Sequence, residues 1–389
     1  MYNTDMRGAI IGDIIGSSRE FCPRVVDRDF DLFPIGSEFT DDSVLTIAVY
    51  DSLKNSIPYE QSFTKWVTKY PHKGYGTWFW GWVTEKEKKP YGSKGNGAAM
   101  RVSPVGWLFD TEEDVLREAK RSADVTHNTK EGVTSAQAVA MCIYLARKKK
   151  SKEEIKKYVE DKFGYNLSKS LLDVLKDYKV NELADGTVQE SIICFLSADS
   201  FEQTIRNAIS LGGDTDTLAC IAGSIAEAYY GLDEKIWSKA KRYLTDEILE
   251  LLGELDSSIE DVYMDVDGVI LSEDGKQMPY LKEFLTLIFN ISENVYWLSN
   301  YCKDGDTSKV LEYLEGKIDK EVLEMLKNVK GKKWGLFRTE GIDFLKRFVW
   351  FSGKVDRNQY IKLEILHKDH NLIVVENNLE EIIELFKRQ

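Results

Sequence analysis

Through the first 257 residues, apolar positions recur every three to four residues, the spacing that lays them along one face of an α-helix. "DDSVLTIAVYDSLKN" (41–55) has this spacing and begins with two acids, where the helix dipole favours negative charge. "TKEGVTSAQAVAMCIYLARKKK" (129–150) repeats it and closes on basic residues, which suit a C-terminus. "SKEEIKKYVEDKFG" (151–164) opens with a capping box, Ser151 followed by Glu154. The spacing continues through 167–178 and 188–213, and no alternating strand pattern interrupts it. Residues 1–257 therefore read as an all-α domain.

The texture changes at "DSSIEDVYMDVDGVILSEDG" (256–275). Short apolar runs bounded by turns now appear: "VYMDV", "ENVYWLSN", "FVWFSG" and "HNLIVVENN". Helical patterns at 307–329 and 378–389 alternate with them, which predicts a small parallel α/β sheet over 258–389. No low-complexity linker marks the boundary, and no internal repeat is evident.

Composition narrows the function classes. With 65 acidic against 52 basic residues the net charge is −13, which argues against general binding to nucleic-acid phosphates or anionic membranes. The five cysteines (Cys22, Cys142, Cys194, Cys220, Cys302) are scattered and form no CxxC or Cys/His cluster, so we expect a reducing cytoplasm and no structural zinc. Asp13 interrupts the apolar stretch near the N-terminus, which is too short for a signal-peptide core. The expectation is a soluble, cytoplasmic protein.

One stretch poses a chemical question. "SLGGDTDTLACIAGSIAEAYYG" (210–231) places Asp214 and Asp216 beside Thr215 and Thr217 at the mouth of a small-residue apolar helix. Two carboxylates so close repel unless something neutralises them, and Gly212 and Gly213 let the chain turn sharply just before them. A cation, a polar ligand or a helix cap would each account for this. Upstream, "EFTDDSVLTIAV" (38–49) puts Thr40, Asp41 and Asp42 at another helix start. If the two starts converge, they form an all-oxygen ligand set that suits Mg²⁺ or Mn²⁺ better than zinc. "PYGSKGNGAAMRVSPVG" (90–106) adds a glycine-rich loop whose backbone can meet a phosphate, and His127 lies in a polar turn before a helix.

The ordered set "GAIIGDIIGSSRE", "FTDDS", "GYGTWFWGW", "GNGAAMRVSPVG", "THNTKEGVTSAQAVA" and "LGGDTDTLACIAGSIAEAYYG" strongly resembles the ADP-ribosylglycohydrolases, over about residues 7–255. The resemblance implies an all-α fold with a binuclear Mg²⁺ or Mn²⁺ centre that removes ADP-ribose from an acceptor. Carried over motif by motif, Thr40, Asp41, Asp42, Asp214, Asp216 and Thr217 would be the metal ligands. Glu20 would approach the metals and the ribose. Ser93, Gly95, Asn96 and Gly97 would form the pyrophosphate loop, and His127 would line the substrate. Ser43 and Lys94 depart from the family's usual residues. Glu20, Asp41, Asp42 and Asp214 are all candidates for the general base. The substrate implied is an ADP-ribosylated protein or nucleic acid, with ADP-ribose as product. The acceptor is left open, and the aromatic stretch 72–92 is the candidate loop for reading it.

In the second half, "YMDVDGVILSEDG" (263–275) is similar to the first motif of haloacid-dehalogenase-type phosphohydrolases. That resemblance implies that Asp265 attacks phosphorus and Asp267 handles the leaving-group proton beside one Mg²⁺, within a Rossmann-like, capless domain. Ser299 in "VYWLSNYCKDG" would match the second motif, and Lys362 the lysine that precedes the last. The family's paired acids are reduced in "VVENN" to Glu376, followed by Asn377 and Asn378. The two halves together suggest a hydrolase with an appended phosphatase-like domain. The alternative is a non-catalytic ADP-ribose-binding module with the second domain as a docking surface.

Overall fold

The computed structural model describes residues 6–22, 29–255, 258–376 and 378–387. The chain divides into two compact units, Met1–Glu254 and Leu255–Gln389. The first unit is helical among its described residues. Its helices are α1 (Arg7–Ser17), α2 (Asp41–Asn55), α3 (Tyr59–Lys69), α4 (Thr77–Thr84), α5 (Gly97–Met100), α6 (Ser103–Leu108) and α7 (Glu112–Asp124). There follow α8 (Lys130–Arg147), α9 (Lys152–Phe163), α10 (Leu171–Asp177), α11 (Ala184–Leu196) and α12 (Phe201–Leu211). The unit closes with α13 (Thr215–Tyr230), α14 (Glu234–Ala240) and α15 (Asp246–Leu252).

The helix over 41–55 matches its expected bounds, and the capping box of α9 is made in both directions. The run 188–213 is not continuous: it breaks between α11 and α12, where Ser200 caps α12 by accepting from the amide of Gln203 at 3.1 Å. Small polar residues that bond their own backbone end one helix and start the next.

Helix α13 is the axis of this unit, and every residue from Thr215 to Ala228 is buried. Against it lies α1, whose Gly8, Gly12 and Gly16 form a stripe at four-residue spacing. A Cβ at these positions would meet Gly223 O at 2.5 Å, Ala219 O at 2.0 Å and Thr215 O at 2.4 Å. The two backbones approach this closely because both faces are nearly bare of side chains.

The second unit has a five-stranded, wholly parallel sheet in the order β3-β2-β1-β4-β5. The strands are β1 (Asp261–Met264), β2 (Asn294–Trp297), β3 (Lys330–Gly331), β4 (Phe348–Ser352) and β5 (Leu372–Val374). Alternate residues feed two cores. Val262, Met264, Val349 and Phe351 fill one, and Tyr263, Phe348 and Trp350 the other. Both faces are therefore covered, as a parallel sheet requires. The connecting helices are α16 (Leu281–Ile291), α17 (Ser308–Leu314), α18 (Lys320–Leu326), α19 (Arg357–Ile365) and α20 (Glu380–Lys387). The expected helix over 307–329 is two, parted at Gly316, whose φ of +76° ends α17. Among the described residues, no helix is long and apolar enough to cross a membrane.

Candidate active site

The site begins with a residue that the motif comparison passed over. Asp13, midway along α1, is fully buried, and a buried carboxylate must find donors. Its Oδ1 accepts from Thr40 Oγ1 at 2.6 Å, and its Oδ2 accepts from the amides of Thr40 (2.9 Å) and Ser43 (3.0 Å) and from the Ser43 hydroxyl. Asp13 thus clamps the start of α2 and aims Asp41 and Asp42. The amide of Asp41 is held in turn by Lys73 O at 2.7 Å. The clue in the sequence was a lone acid among apolar helical positions.

The second arm is the turn before α13. Gly212 and Gly213 adopt φ of +77° and +75°, the left-handed region that glycine enters without strain. The Phe21 amide donates to Gly213 O at 2.6 Å, and Thr215 Oγ1 donates to Gly16 O at 2.9 Å, so the end of α1 and this turn are fastened together. Asp214 Oδ2 accepts from Asn96 Nδ2 at 2.6 Å, and Asp216 Oδ1 from the Thr217 amide at 2.9 Å. Thr217 Oγ1 reaches Asp42 Oδ2 at 3.3 Å, which joins the two arms.

Carboxylate oxygens of Asp13, Asp42 and Asp216 lie within 4.8 Å of one another, as do those of Glu20, Asp214 and Asp216. Burial, and then the neighbouring acids, push the carboxyls of Asp41, Asp42 and Asp216 well above their ordinary range; Glu20 is raised by the same causes. Among the described residues, no basic side chain forms an ion pair with any of these acids. Asp42 Oδ1 is buried and accepts no hydrogen bond. An orphaned carboxylate oxygen inside an all-oxygen acidic cluster fits a hard divalent cation, so these residues can hold the metal that the family resemblance implies.

Above the acids opens a cleft of about 790 Å³. Glu20, Asp41, Asp42, Asp214, Asp216 and Thr217 line its floor, and Ser93, Gly95, Asn96, Gly97 and His127 line a wall. Thr40 does not line it; it sits behind, occupied by Asp13 and by the Asp42 amide at 3.3 Å. The glycine loop is pinned, with Asn96 N donating to Glu182 O and Ala184 N to Lys94 O, each at 3.0 Å. Lys94 pairs with Glu131 at 3.0 Å. Trp78, 81% exposed, lies at the rim.

A relay behind His127 was not legible in the motifs. Arg101 is fully buried over the Phe63 ring, 4.4 Å from its centroid, and donates through Nη2 to Ser122 O (2.9 Å) and Thr126 Oγ1 (2.8 Å). Thr126 Oγ1 lies 2.7 Å from His127 Nδ1. Thr126 Oγ1 accepts from Arg101, so its own hydrogen can turn to Nδ1, the arrangement in which the imidazole carries its proton on Nε2. Burial, and then the Arg101 charge, hold the His127 pKa well below its ordinary value, so the ring is neutral. A Cβ on Gly97 would stand 3.2 Å from Nε2, which places this N–H against the glycine loop.

In the second unit, a cleft of about 460 Å³ at the C-terminal ends of β1, β2 and β4 is lined by Asp265, Asp267 and Ser299, together with Lys303, Arg338, Lys354 and Asp356. Lys362 lies elsewhere, with Nζ 5.2 Å from the Phe344 ring centroid. β1 lies between β2 and β4, so Lys354 and Asp356 follow a strand that adjoins it, whereas Glu376 and Asn378 follow the edge strand β5. Asn377 lies outside the described residues.

Similarities to known proteins agree with the first unit's geometry. The sequence model of the ADP-ribosylglycohydrolase family matches residues 6–265. ADP-ribosylhydrolase ARH3 of Homo sapiens is 29% identical over 311 residues, covering 59% of this chain and 85% of that protein. ADP-ribosylarginine hydrolase Tri1 of Pseudomonas putida is 22% identical over 289 residues, covering 64% and 78%. A solved structure, described as an ADP-ribosylglycohydrolase-related protein complex, superposes with a TM-score of 0.50 at 22% identity, over 65% of this chain and 95% of that one. The helical unit, its acidic cleft and the matched family together identify a glycosidic-bond hydrolase, and the chain belongs to the ADP-ribosylglycohydrolase family.

Proposed function

We propose that the first unit removes ADP-ribose from a modified protein side chain or nucleic acid by hydrolysing the glycosidic bond at the terminal ribose. The observation that carries this is the orphaned Asp42 Oδ1, set among acids without basic partners at the floor of a cleft walled by Gly95, Asn96, Gly97 and His127. Asp41 and Asp42 on one side, with Thr40 behind them, and Asp214, Asp216 and Thr217 on the other, would hold two Mg²⁺ or Mn²⁺ ions. When bound, the ions supply Lewis acidity and neutralise the acids.

The chain's own residues do the rest. Water adds to the anomeric carbon, the bond to the acceptor breaks, and its electron pair leaves with the acceptor atom. Carboxylates around the ring stabilise the positive charge that develops there. Glu20, in the cleft and within ligating reach of Asp214 and Asp216, takes the water proton in this reading and returns it to the leaving group. Ser93, the backbone of Gly95 and Gly97, and the Nε2–H of His127 orient the pyrophosphate.

For the second unit, beginning near residue 258, we propose a haloacid-dehalogenase-like, Rossmann-type fold, supported by the central position of β1 and by Asp265 just after it. Five unbridged cysteines, four of them buried, support a cytoplasmic location.

The test is ADP-ribose release from peptides modified on serine or arginine and from modified nucleic acid, with Mg²⁺, Mn²⁺ or chelator. Release from at least one substrate is expected. No release from any, with ADP-ribose still bound, would replace hydrolysis by simple binding.

A further inference from the structure

The resemblance of the second unit to metal-dependent phosphohydrolases implies a Mg²⁺ beside Asp265, and the residues around Asp265 do not fit one. Its carboxylate is buried at the end of β1, and each oxygen already has a donor from the protein. Oδ1 accepts from Trp350 Nε1 at 3.3 Å. Oδ2 accepts from Arg338 Nη1 and from the hydroxyl of Ser352. The guanidinium is itself anchored, since Nη2 donates to Lys354 O at 2.6 Å and its carbon stands 5.1 Å from the Trp350 ring centroid. Ser352 is the last residue of β4, the neighbouring strand, so the side chain that faces Asp265 from there is a hydroxyl donor and not a second acid.

The remaining acids do not complete a ligand set. Asp356 spends its carboxylate on the start of α19, accepting from the amides of Asn358 (3.0 Å) and Gln359 (3.1 Å) and from the Gln359 side chain. Asp267 is exposed. Among the described residues, clusters of three carboxylates within ligating reach of one another occur in the first unit and not here. A cation entering this cleft would have to displace a fixed guanidinium and would gain one buried carboxylate in return. That exchange is unfavourable, because Mg²⁺ gives up its water only to a geometry close to octahedral.

We infer that this cleft takes no divalent ion: Arg338 supplies the positive charge at Asp265, and the ion pair keeps Asp265 from acting as a nucleophile on phosphate esters. The inference rests on the proposed fold resemblance and departs from it in chemistry. Gly268 and Gly353 show that the loops after β1 and β4 are closely packed around this arrangement, since a Cβ on Gly268 would meet Gly353 Cα at 2.4 Å. Little room is left for the Asp265 loop to swing toward another ligand.

The experiment uses the full chain and counts bound Mn²⁺ by electron paramagnetic resonance in the wild type, in Asp265→Asn and in Asp214→Ala. Asp265→Asn is expected to bind as many Mn²⁺ per chain as the wild type, while Asp214→Ala binds fewer. Loss of one Mn²⁺ in Asp265→Asn overturns the inference and leaves the fold resemblance standing. Should Asp265→Asn fail to fold, the wild type still decides: no Mg²⁺-dependent phosphate release from p-nitrophenyl phosphate is expected, and release that persists in Asp214→Ala overturns the inference. The fold resemblance fails separately if a crystal structure shows a strand order other than β3-β2-β1-β4-β5.

Discussion

Replacing Gly12 by alanine sets two effects of opposite sign against each other. Gly12 lies inside α1, where alanine favours the helix by about 1 kcal/mol. Its new methyl group, however, would stand 2.0 Å from Ala219 O, 2.4 Å from the carbon of the same carbonyl and 2.7 Å from Cys220 N. These are backbone atoms of α13 and cannot rotate aside, so α1 must retreat by about 1 Å before the shortest contact reaches even 3.0 Å. Overpacking of this kind costs about 1–3 kcal/mol, and contact between two backbones belongs at the upper end. The net loss is about 2 kcal/mol, or roughly 4–8 °C in Tm for a unit of this size. The same retreat carries Asp13 away from Thr40 and Ser43 and loosens the start of α2, so turnover should fall with stability. Gly81→Ala in α4 is the control, because a Cβ there meets nothing within 4 Å. Differential scanning calorimetry and ADP-ribose release on both variants decide the matter. A Gly12→Ala protein that melts at or above the wild type with full activity would refute the close-packing argument.

Three further outcomes follow from the site. Asp41, Asp42 and Asp216 have raised pKa values, so the metal-free native protein holds protons that the unfolded chain has already released above about pH 4. Metal-free stability therefore falls as pH rises through the raised values, and the stabilisation gained on adding Mg²⁺ should grow with pH over that range, by about 1.4 kcal/mol per pH unit for each proton displaced; a gain independent of pH contradicts this. Thr126→Val removes the hydroxyl between Arg101 and His127 and should lower kcat/KM about tenfold, the worth of about one hydrogen bond. Nitrogen-15 NMR should then show that the proton on His127 is no longer confined to Nε2, and an unchanged tautomer with unchanged kinetics would dismiss the relay. Asp13→Asn turns an acceptor toward four donors into a group with donors of its own and should cost about 1–3 kcal/mol while weakening Mn²⁺ binding; a fall in Tm with Mn²⁺ affinity intact would make Asp13 structural only.

Features carried by short-range pattern were readable from the chain. The helix at 41–55, the capping box at Ser151 and Glu154, and the glycine turn before Asp214 each depend on neighbours a few residues away. What escaped notice depends on helices or strands meeting in space. Asp13 gains its meaning only when α1 meets Thr40 and Ser43, and Arg101 only when it reaches Thr126. Thr40, read as a ligand, also links Asp13 to the start of α2. In the second unit, the acid of "VVENN" follows β5 at the sheet edge, whereas the sheet order brings the end of β4 beside Asp265. Strand order is not written in a run of apolar residues, and Arg338, Ser352 and Asp356 carry no motif of their own. The small residues of α13 did announce close packing, and their partner proved to be the equally spaced glycines of α1.

The most direct test of the central claim is ADP-ribose release by the wild type before chelation, after EDTA, and after Mg²⁺ or Mn²⁺ is restored, with Asp214→Ala alongside. The acidic cage predicts release that EDTA abolishes, that the ion restores, and that Asp214→Ala lacks while keeping a folded spectrum. Release that persists in EDTA, or in folded Asp214→Ala, would contradict the assignment of these acids as a metal-holding catalytic centre.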